Sequence, residues 1–454
     1  MKKKKRWAAP FSTSGQPKVH LREDATNLTS NAGGLPVGQF LNAIGFHASA
    51  RQITGKAVAK NTLFSFATVL YMSIIAVCLG AKNLTQITCV WGDRVLCRIL
   101  GIIRVPHQTT IARVLDKFSD ASVYQMEELC HLLRERAWKR ALHQGVSRVA
   151  ECNEFWVDLD STPTPAYGVQ QEGVAKNYKG IRSYHPLIAF CVETKEIIQA
   201  WFRSGNTHTA NGATEFIKEL LAHFAVDGRR IILRGDSGFF VSSLIELLET
   251  KGHGYLLKVR LGRDLHPTLA KQIWREVPGE VGWEQTEFVR MCRGWSRPRR
   301  HVALRQVNKK KTDKARLQGQ GDLFNMVEYD YLCFLYSEEA TPWETRILYN
   351  QRGTCETWIE EAKNQMGMGH FKTGRFLSNA LLFQMTVLAY NTLRWMALFS
   401  KEPEIQKMEP ATIRTFLIRV AGKLLTGGRK LVLRLAVSGL YQKERREWFQ
   451  LGFA

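Results

Sequence analysis

Apolar residues recur at helical spacing through Phe118–Leu142, just after the helix-start signal Pro106-His107-Gln108-Thr109-Thr110. Helical patterning extends over about 39–150. At Glu154 the rhythm changes: Phe155–Asp160, Leu187–Glu193 and Ile197–Arg203 read as strands, the last two joined by the short turn Thr194-Lys195-Glu196. A helix is expected over Ala210–His223, a strand over Arg230–Leu233 running into Gly235-Asp236-Ser237-Gly238, a helix over Ser243–Thr250 and a strand over Tyr255–Val259. Three antiparallel strands followed by alternating helix and strand predict an α/β fold, a mixed sheet flanked by helices.

From about 261 to 344 the pattern becomes one of short strands, at Glu284–Met291, His301–Val307 and Tyr329–Tyr336. Helix resumes near Gly353 and runs through the apolar Leu377–Leu398, followed by a basic C-terminal segment. The expected organisation is a flexible basic tail (1–38), a helical domain (39–150) whose Arg94, Arg98, Arg104 and Arg113 suit a DNA-binding helix and equally a solvated cap, and an α/β domain in two parts (151–260 and 345–400). A β-rich basic insertion (261–344) separates those parts, and a helical region (401–454) closes the chain. The uncharged stretch Asn61–Ala81 is long enough for a membrane span. Its Thr62, Ser65, Thr68 and Ser73 dilute it, and a helix buried inside a large protein is the preferred expectation; no membrane partner is expected.

Charge sharpens the picture. The 454 residues hold 64 Lys plus Arg against 41 Asp plus Glu, a net +23, with 45% apolar residues to build a core. Such an excess points to a polyanionic partner, because cations set against phosphates release condensed counterions. Between Thr286 and Arg316 eleven Lys/Arg face only Glu287 and Asp313, and Trp295 sits there between Arg293 and Arg297. An aromatic among arginines suits stacking on unpaired bases together with phosphate contact, and equally a basic loop with an anchoring Trp. Nine cysteines without a CxxC pair argue for reduced thiols in a cytoplasm and against a zinc site. The opening Met1–Trp7 is basic with no apolar stretch behind it, so it does not read as a secretory signal.

Two acids stand at expected strand ends: Asp160, followed by Ser161-Thr162, and Asp236, followed by Ser237-Gly238. Carboxylates at neighbouring strand ends converge on one sheet edge, where hard oxygen ligands suit Mg²⁺, although many such aspartates merely cap a turn. Tyr349, Arg352, Glu356 and Lys363 fall at roughly 0°, 300°, 340° and 320° around a helix, one narrow polar face. Asp158 shares a strand side with Asp160, and Glu360 shares the helix face of Glu356, so each is an alternative. His185 and His208, in polar loops, are expected to contact backbone.

The spacing Tyr-(2)-Arg-(3)-Glu-(6)-Lys resembles the signature of the bacterial DDE transposases of insertion-sequence family four, matched at Tyr349, Arg352, Glu356 and Lys363. Asp160 through Ser183-Tyr184-His185-Pro186, then Arg234-Gly235-Asp236-Ser237-Gly238-Phe239, is similar to the first two acidic motifs of that group. The resemblance spans about 150–400 and implies an RNase H-like catalytic domain carrying a β-rich insertion. It also implies two Mg²⁺ ions, with Mn²⁺ able to substitute, held by Asp160, Asp236 and Glu356. Arg352 and Lys363 would contact phosphates, and Tyr349 would position the strand end. The implied partners are terminal inverted repeats and target DNA, bound by a homodimer in the bacterial nucleoid. Some members form a hairpin with a Trp on a flipped base; Trp283, Trp295 and Trp343 compete for that role. An inactive DNA-binding repressor, or an RNase H-like nuclease or resolvase, is the alternative function.

Overall fold

The computed structural model describes residues 19–53, 63–166, 168, 170–177, 180–208, 210–224, 228–308, 328–370, 373–428, 430–436 and 440–452. After strand β1 (Leu28–Thr29) the chain is helical as far as Ala150. Helix Phe66–Cys78 is capped by Ser65, whose hydroxyl accepts from Thr68 N, and twelve of its thirteen residues are buried against other helices. This is the stretch that reached membrane length by composition. No described helix is long and apolar enough to cross a membrane.

The α/β region begins with β2 (Glu154–Ser161). A small sheet of β3 (Thr164–Pro165), β4 (Ala175–Lys176) and β5 (Arg182–Tyr184) follows, in the order β3-β5-β4. Next come β6 (Leu187–Cys191), β7 (Ile197–Trp201), helix Ala213–Phe224, β8 (Arg230–Gly235), helix Ser242–Thr250 and β9 (Gly254–Lys258). β2 runs antiparallel to β6 and β6 to β7, while β8 is parallel to β2 and β9 to β8. The resulting order β7-β6-β2-β8-β9, with the first three strands antiparallel and the last two reached by helical crossovers, is RNase H-like. β6 is buried at every position, as expected of a strand covered on both faces.

The segment 261–344 is β-rich, as expected, and its strands continue the central sheet. β10 (Arg275–Glu276), β11 (Trp283–Arg290), β12 (Arg299–Val307) and β13 (Tyr329–Tyr336) extend the central sheet, because β13 pairs with β9 through Phe334–Lys258, Leu335–Leu257 and Tyr336–Leu256. Apolar alternation predicts a strand but not its partner, which is why the nine-stranded sheet was not foreseen. Part of the basic run, 309–327, lies outside the described residues.

The expected tail 1–38 is too long. Residues 1–18 lie outside the described residues, whereas β1 and helix Gly34–Ala43 are folded. The C-terminal region is not helical throughout: β14 (Gly422–Gly427) and β15 (Lys430–Leu435) form a hairpin to which β1 adds a third strand. Its Gly427-Gly428 turn, with Gly428 at φ +56, supplies the left-handed backbone that a tight hairpin needs.

The main core lies on one face of the sheet, where helix Phe376–Phe399 packs against helices Asp120–His143 and Phe66–Cys78. That helix is buried nearly all round, so it shows no amphipathic stripe. Polar groups inside this core are matched. Glu196 accepts from Trp138 Nε1 at 2.6 Å, Trp395 Nε1 at 2.5 Å and Thr194 Oγ1 at 2.8 Å, and Glu361 pairs with Arg394. A smaller core of Ile232, Leu256, Val302, Leu304 and Phe334 lies on the opposite face, with Trp343, Leu348 and Tyr349 of helix Pro342–Asn350 packed on it.

Candidate active site

The parallel register of β2 and β8 sets the site. Asp158 lies opposite Arg234 and Leu159 opposite Gly235, so one further step along each strand brings Asp160 and Asp236 side by side at the sheet edge. Asp160 also pairs across to Ile188 on β6, and its Oδ1 accepts from Ser161 N at 2.8 Å. Asp236 caps the short turn Ser237–Phe239, its Oδ1 accepting from Gly238 N at 2.9 Å. The turn-capping role and an exposed, half-buried carboxylate coexist at this residue.

Asp158 is separated from Asp160 by what it touches. It is fully buried in a two-pronged ion pair: Arg234 Nε lies 2.6 Å from its Oδ1 and Nη2 lies 2.9 Å from its Oδ2. Arg234 also donates to Leu348 O at 2.6 Å and lies 4.9 Å over the Trp156 ring, so this pair ties β2 and β8 to helix Pro342–Asn350.

That helix begins with a capping box, Thr341 with Glu344, and Pro342 in its first turn. It passes through Gln351 and Arg352, both still in helical conformation, into helix Gly353–Glu360. Arg352 Nη2 lies 3.2 Å from Asp160 Oδ1 and donates to Leu159 O at 3.1 Å, which draws the helix onto the end of β2. Its Nε is buried with no acceptor among the described residues. Glu356, one turn on, is exposed in the first turn of its helix. Burial pushes the Asp160 carboxyl above its ordinary range, the Arg352 guanidinium pulls it back, and Asp236 and Glu356 push it up again. The three carboxylates therefore sit in one field. Glu360 acts on Lys363. Burial works against the Arg352 charge, but Asp160, Cys355, Tyr349 and Asp236 together outweigh it, and the guanidinium is held more firmly protonated than usual.

After Glu360 the helix widens into one π turn, Glu361–Gln365. The sequence gives no warning of this, and such turns are frequent at functional sites. It carries Lys363, whose Nζ donates to Thr162 Oγ1 at 3.0 Å and Pro163 O at 3.1 Å, just beyond the end of β2. Burial lowers the Lys363 ammonium pKa, against the pull of Glu360 and Asp160. Tyr349 packs its ring 4.8 Å from Phe334, and burial raises its phenol. Tyr349, Arg352, Glu356 and Lys363 thus reach the same edge as Asp160 and Asp236.

The expected basic patch lies elsewhere, beside helix Ser242–Thr250. Trp295 does not offer a ring for base stacking: it is 8% exposed, with Arg299 4.6 Å over one face and Phe240 5.3 Å away. Arg297 pairs with Glu249 at 3.0 Å, and Arg293 is exposed. Trp283 and Trp343 pack at 5.6 Å with Arg346 over both rings, at 4.1 and 4.4 Å. His185 and His208 contact backbone, at Thr207 O (2.8 Å) and Ala210 N (3.2 Å).

An RNase H-like sheet with two aspartates at adjacent strand ends and a glutamate helix laid beside them is the architecture of the DDE class. More particularly, the chain belongs to the family described as transposase DDE domain group 1, whose model matches residues 11–451. That description does not extend to insertion-sequence family four. No curated protein matches the sequence. Among solved structures, the cryo-EM structure of the piggyBac transposase synaptic complex with hairpin DNA is similar with a TM-score of 0.45 and 15% identity, over 79% of this chain and 74% of that one.

Proposed function

We propose that the protein is an insertion-sequence transposase of the family-four type. In this reading it binds terminal inverted repeats, cuts DNA at the element's ends and joins the freed 3′-hydroxyls to target DNA, acting as a homodimer on paired ends in the nucleoid. The observation that carries the reading is the shared field of Asp160, Asp236 and Glu356 at one sheet edge, next to the Asp160–Arg352 pair.

The donor set fits hard divalent cations: three carboxylates and no thiolate or imidazole. Their mutual repulsion, felt at Asp160, is relieved by a cation. Asp160, Asp236 and Glu356 would hold the ions. When bound, Mg²⁺ or Mn²⁺ would supply activation of the attacking oxygen and stabilisation of the leaving oxygen in an in-line displacement.

The protein's own groups do the rest. Arg352, anchored on Asp160 and Leu159 O, would hold positive charge beside the scissile phosphate. Lys363 is preset by Thr162 and Pro163 on the other side of the β2 end, where it would steady the strand flanking the scissile phosphate. Tyr349, partly buried beside them, would position the strand end.

The test is strand joining: a duplex bearing the element's end is incubated with the protein, Mg²⁺ and a plasmid target. Joined product from wild type and none from Asp160→Asn is expected. Tight binding without cleavage or joining by wild type would favour the repressor reading, and cleavage of branched DNA without joining would favour the resolvase.

A further inference from the structure

The β14–β15 hairpin has one face that the described residues leave largely exposed. Leu424 packs inward on one side of the ribbon, with Leu433 opposite it. The other side presents Lys423, Leu425 and Gly427 opposite Arg434, Val432 and Lys430. Lys423, Lys430 and Arg434 are exposed, and none has an ion-pair partner among the described residues. Lys423 and Arg434 are directly opposed in the register. Like charges placed so are destabilising, and folding alone gives no reason for them.

The ribbon is tied into the body at both sides. Leu424 N donates to Asn27 O at 2.8 Å, and Thr29 Oγ1 donates to Asp93 Oδ2 at 2.5 Å at the start of helix Arg94–Ile99, which exposes Arg94 and Arg98. A line of cations leads from it to the acidic edge. Four residues after Lys363, Gly367 packs on Lys82: a Cβ built on Gly367 would stand 3.1 Å from the Lys82 Cα. Two residues before Lys82, a Cβ on Gly80 would stand 3.4 Å from Arg419 Nη2, and Arg419 is exposed four residues before Lys423.

We propose that this ribbon face is a second DNA-backbone contact, and that duplex leaving the catalytic edge runs over Lys363, Lys82 and Arg419 onto Lys423, Lys430 and Arg434. A two-stranded ribbon is one of the two protein shapes a major groove admits. Charge complementarity selects a polyanion as occupant: the opposed Lys423 and Arg434 are relieved by phosphates. The proposal rests on the transposase reading above and adds to it where the flanking duplex lies.

The test uses the full-length chain and a labelled random-sequence duplex of several helical turns, with EDTA present so that only binding is read. Lys423→Ala/Lys430→Ala/Arg434→Ala is expected to bind at least about tenfold more weakly, with the slope of log K against log salt reduced by about 2.7, from 0.9 per phosphate contact over three contacts. In the free protein its melting temperature is expected to be unchanged or higher, since a like-charge pair is removed. Equal affinity and equal slope would overturn the ribbon and leave the transposase reading standing. Failure of wild type itself to bind duplex would overturn both. A variant that binds DNA normally but loses self-association in sedimentation would give the face to a second copy, and so overturn the proposal.

Discussion

Asp158 and Asp160 lie two residues apart on one strand, and the structure gives them opposite work, which a pair of substitutions separates. Asp158→Asn leaves the Arg234 guanidinium, 1% exposed, without its counter-charge. It keeps only the bond to Leu348 O and its place over Trp156. Removing one partner of a buried, doubly bonded pair costs about 3–5 kcal/mol. In a chain of this size that is a fall of several degrees in melting temperature. Replacing both partners, Asp158→Asn with Arg234→Met, removes the stranded charge and should recover a large part of the loss. Asp160→Asn behaves differently. Its carboxylate is 20% exposed and meets Arg352 in a single contact at 3.2 Å, and Arg352 keeps its bond to Leu159 O, so a neutral amide costs less stability than at Asp158 while removing the carboxylate from the edge. The assay is thermal unfolding of the four proteins, followed by strand cleavage at a temperature where all are folded. Asp158→Asn within about 0.5 kcal/mol of wild type, or Asp160→Asn cleaving normally, would refute the division of labour.

Three further outcomes are expected. Arg352→Lys cannot span both Asp160 and Leu159 O with one ammonium, and should lose about 10²-fold in cleavage rate with melting little changed, a scale set by other preorganised donors; near-normal cleavage would remove Arg352 from the site. Trp295→Ala should cost about 3–5 kcal/mol of stability as a core truncation, while Trp295→Phe keeps cleavage; a folded Trp295→Ala with selectively lost activity would restore the base-stacking role. Glu127 is pushed from its ordinary 4.5 up to about 8 by burial first and then by Glu219, with Glu128 adding and the Gln384 amide opposing. A raised carboxyl stabilises the fold below the unfolded pKa, and that contribution is lost as pH rises to about 8, at up to about 1.4 kcal/mol per unit. Glu127→Gln should therefore flatten the fall in melting temperature over that range, and an unchanged profile would contradict the assignment.

The strands β2, β6, β7, β8 and β9 were legible because each carries a short apolar run bounded by turn residues. Helix was expected to resume only near Gly353, so helix Gly353–Glu360 was legible and helix Pro342–Asn350 ahead of it was not. Nor was pairing across long distances. Nothing local in Tyr329–Tyr336 says that it lies beside β9, so the insertion was legible but its joining of the central sheet was not. The ribbon was hidden for a related reason: its lysines and arginines fell in a basic segment expected to be helical, and only the strand register sets Lys423 opposite Arg434. At the site, sequence placed the acids but could not divide Asp158 from Asp160, because that depends on Arg234 from another strand. The π turn carrying Lys363 depends on packing after Glu360 and left no trace in residue order. Trp295 looked like a base-stacking residue by neighbourhood alone, and Arg299 and Phe240 close over it in three dimensions.

The central claim, that Glu356 completes the acidic edge, is tested most directly by cleavage of an end-bearing duplex in Mg²⁺ by wild type, Glu356→Gln and Glu360→Gln, with binding measured in parallel. Cleavage by wild type and Glu360→Gln, and none by Glu356→Gln at undiminished DNA affinity, is the predicted result. Normal cleavage by Glu356→Gln, with loss in Glu360→Gln, would contradict it.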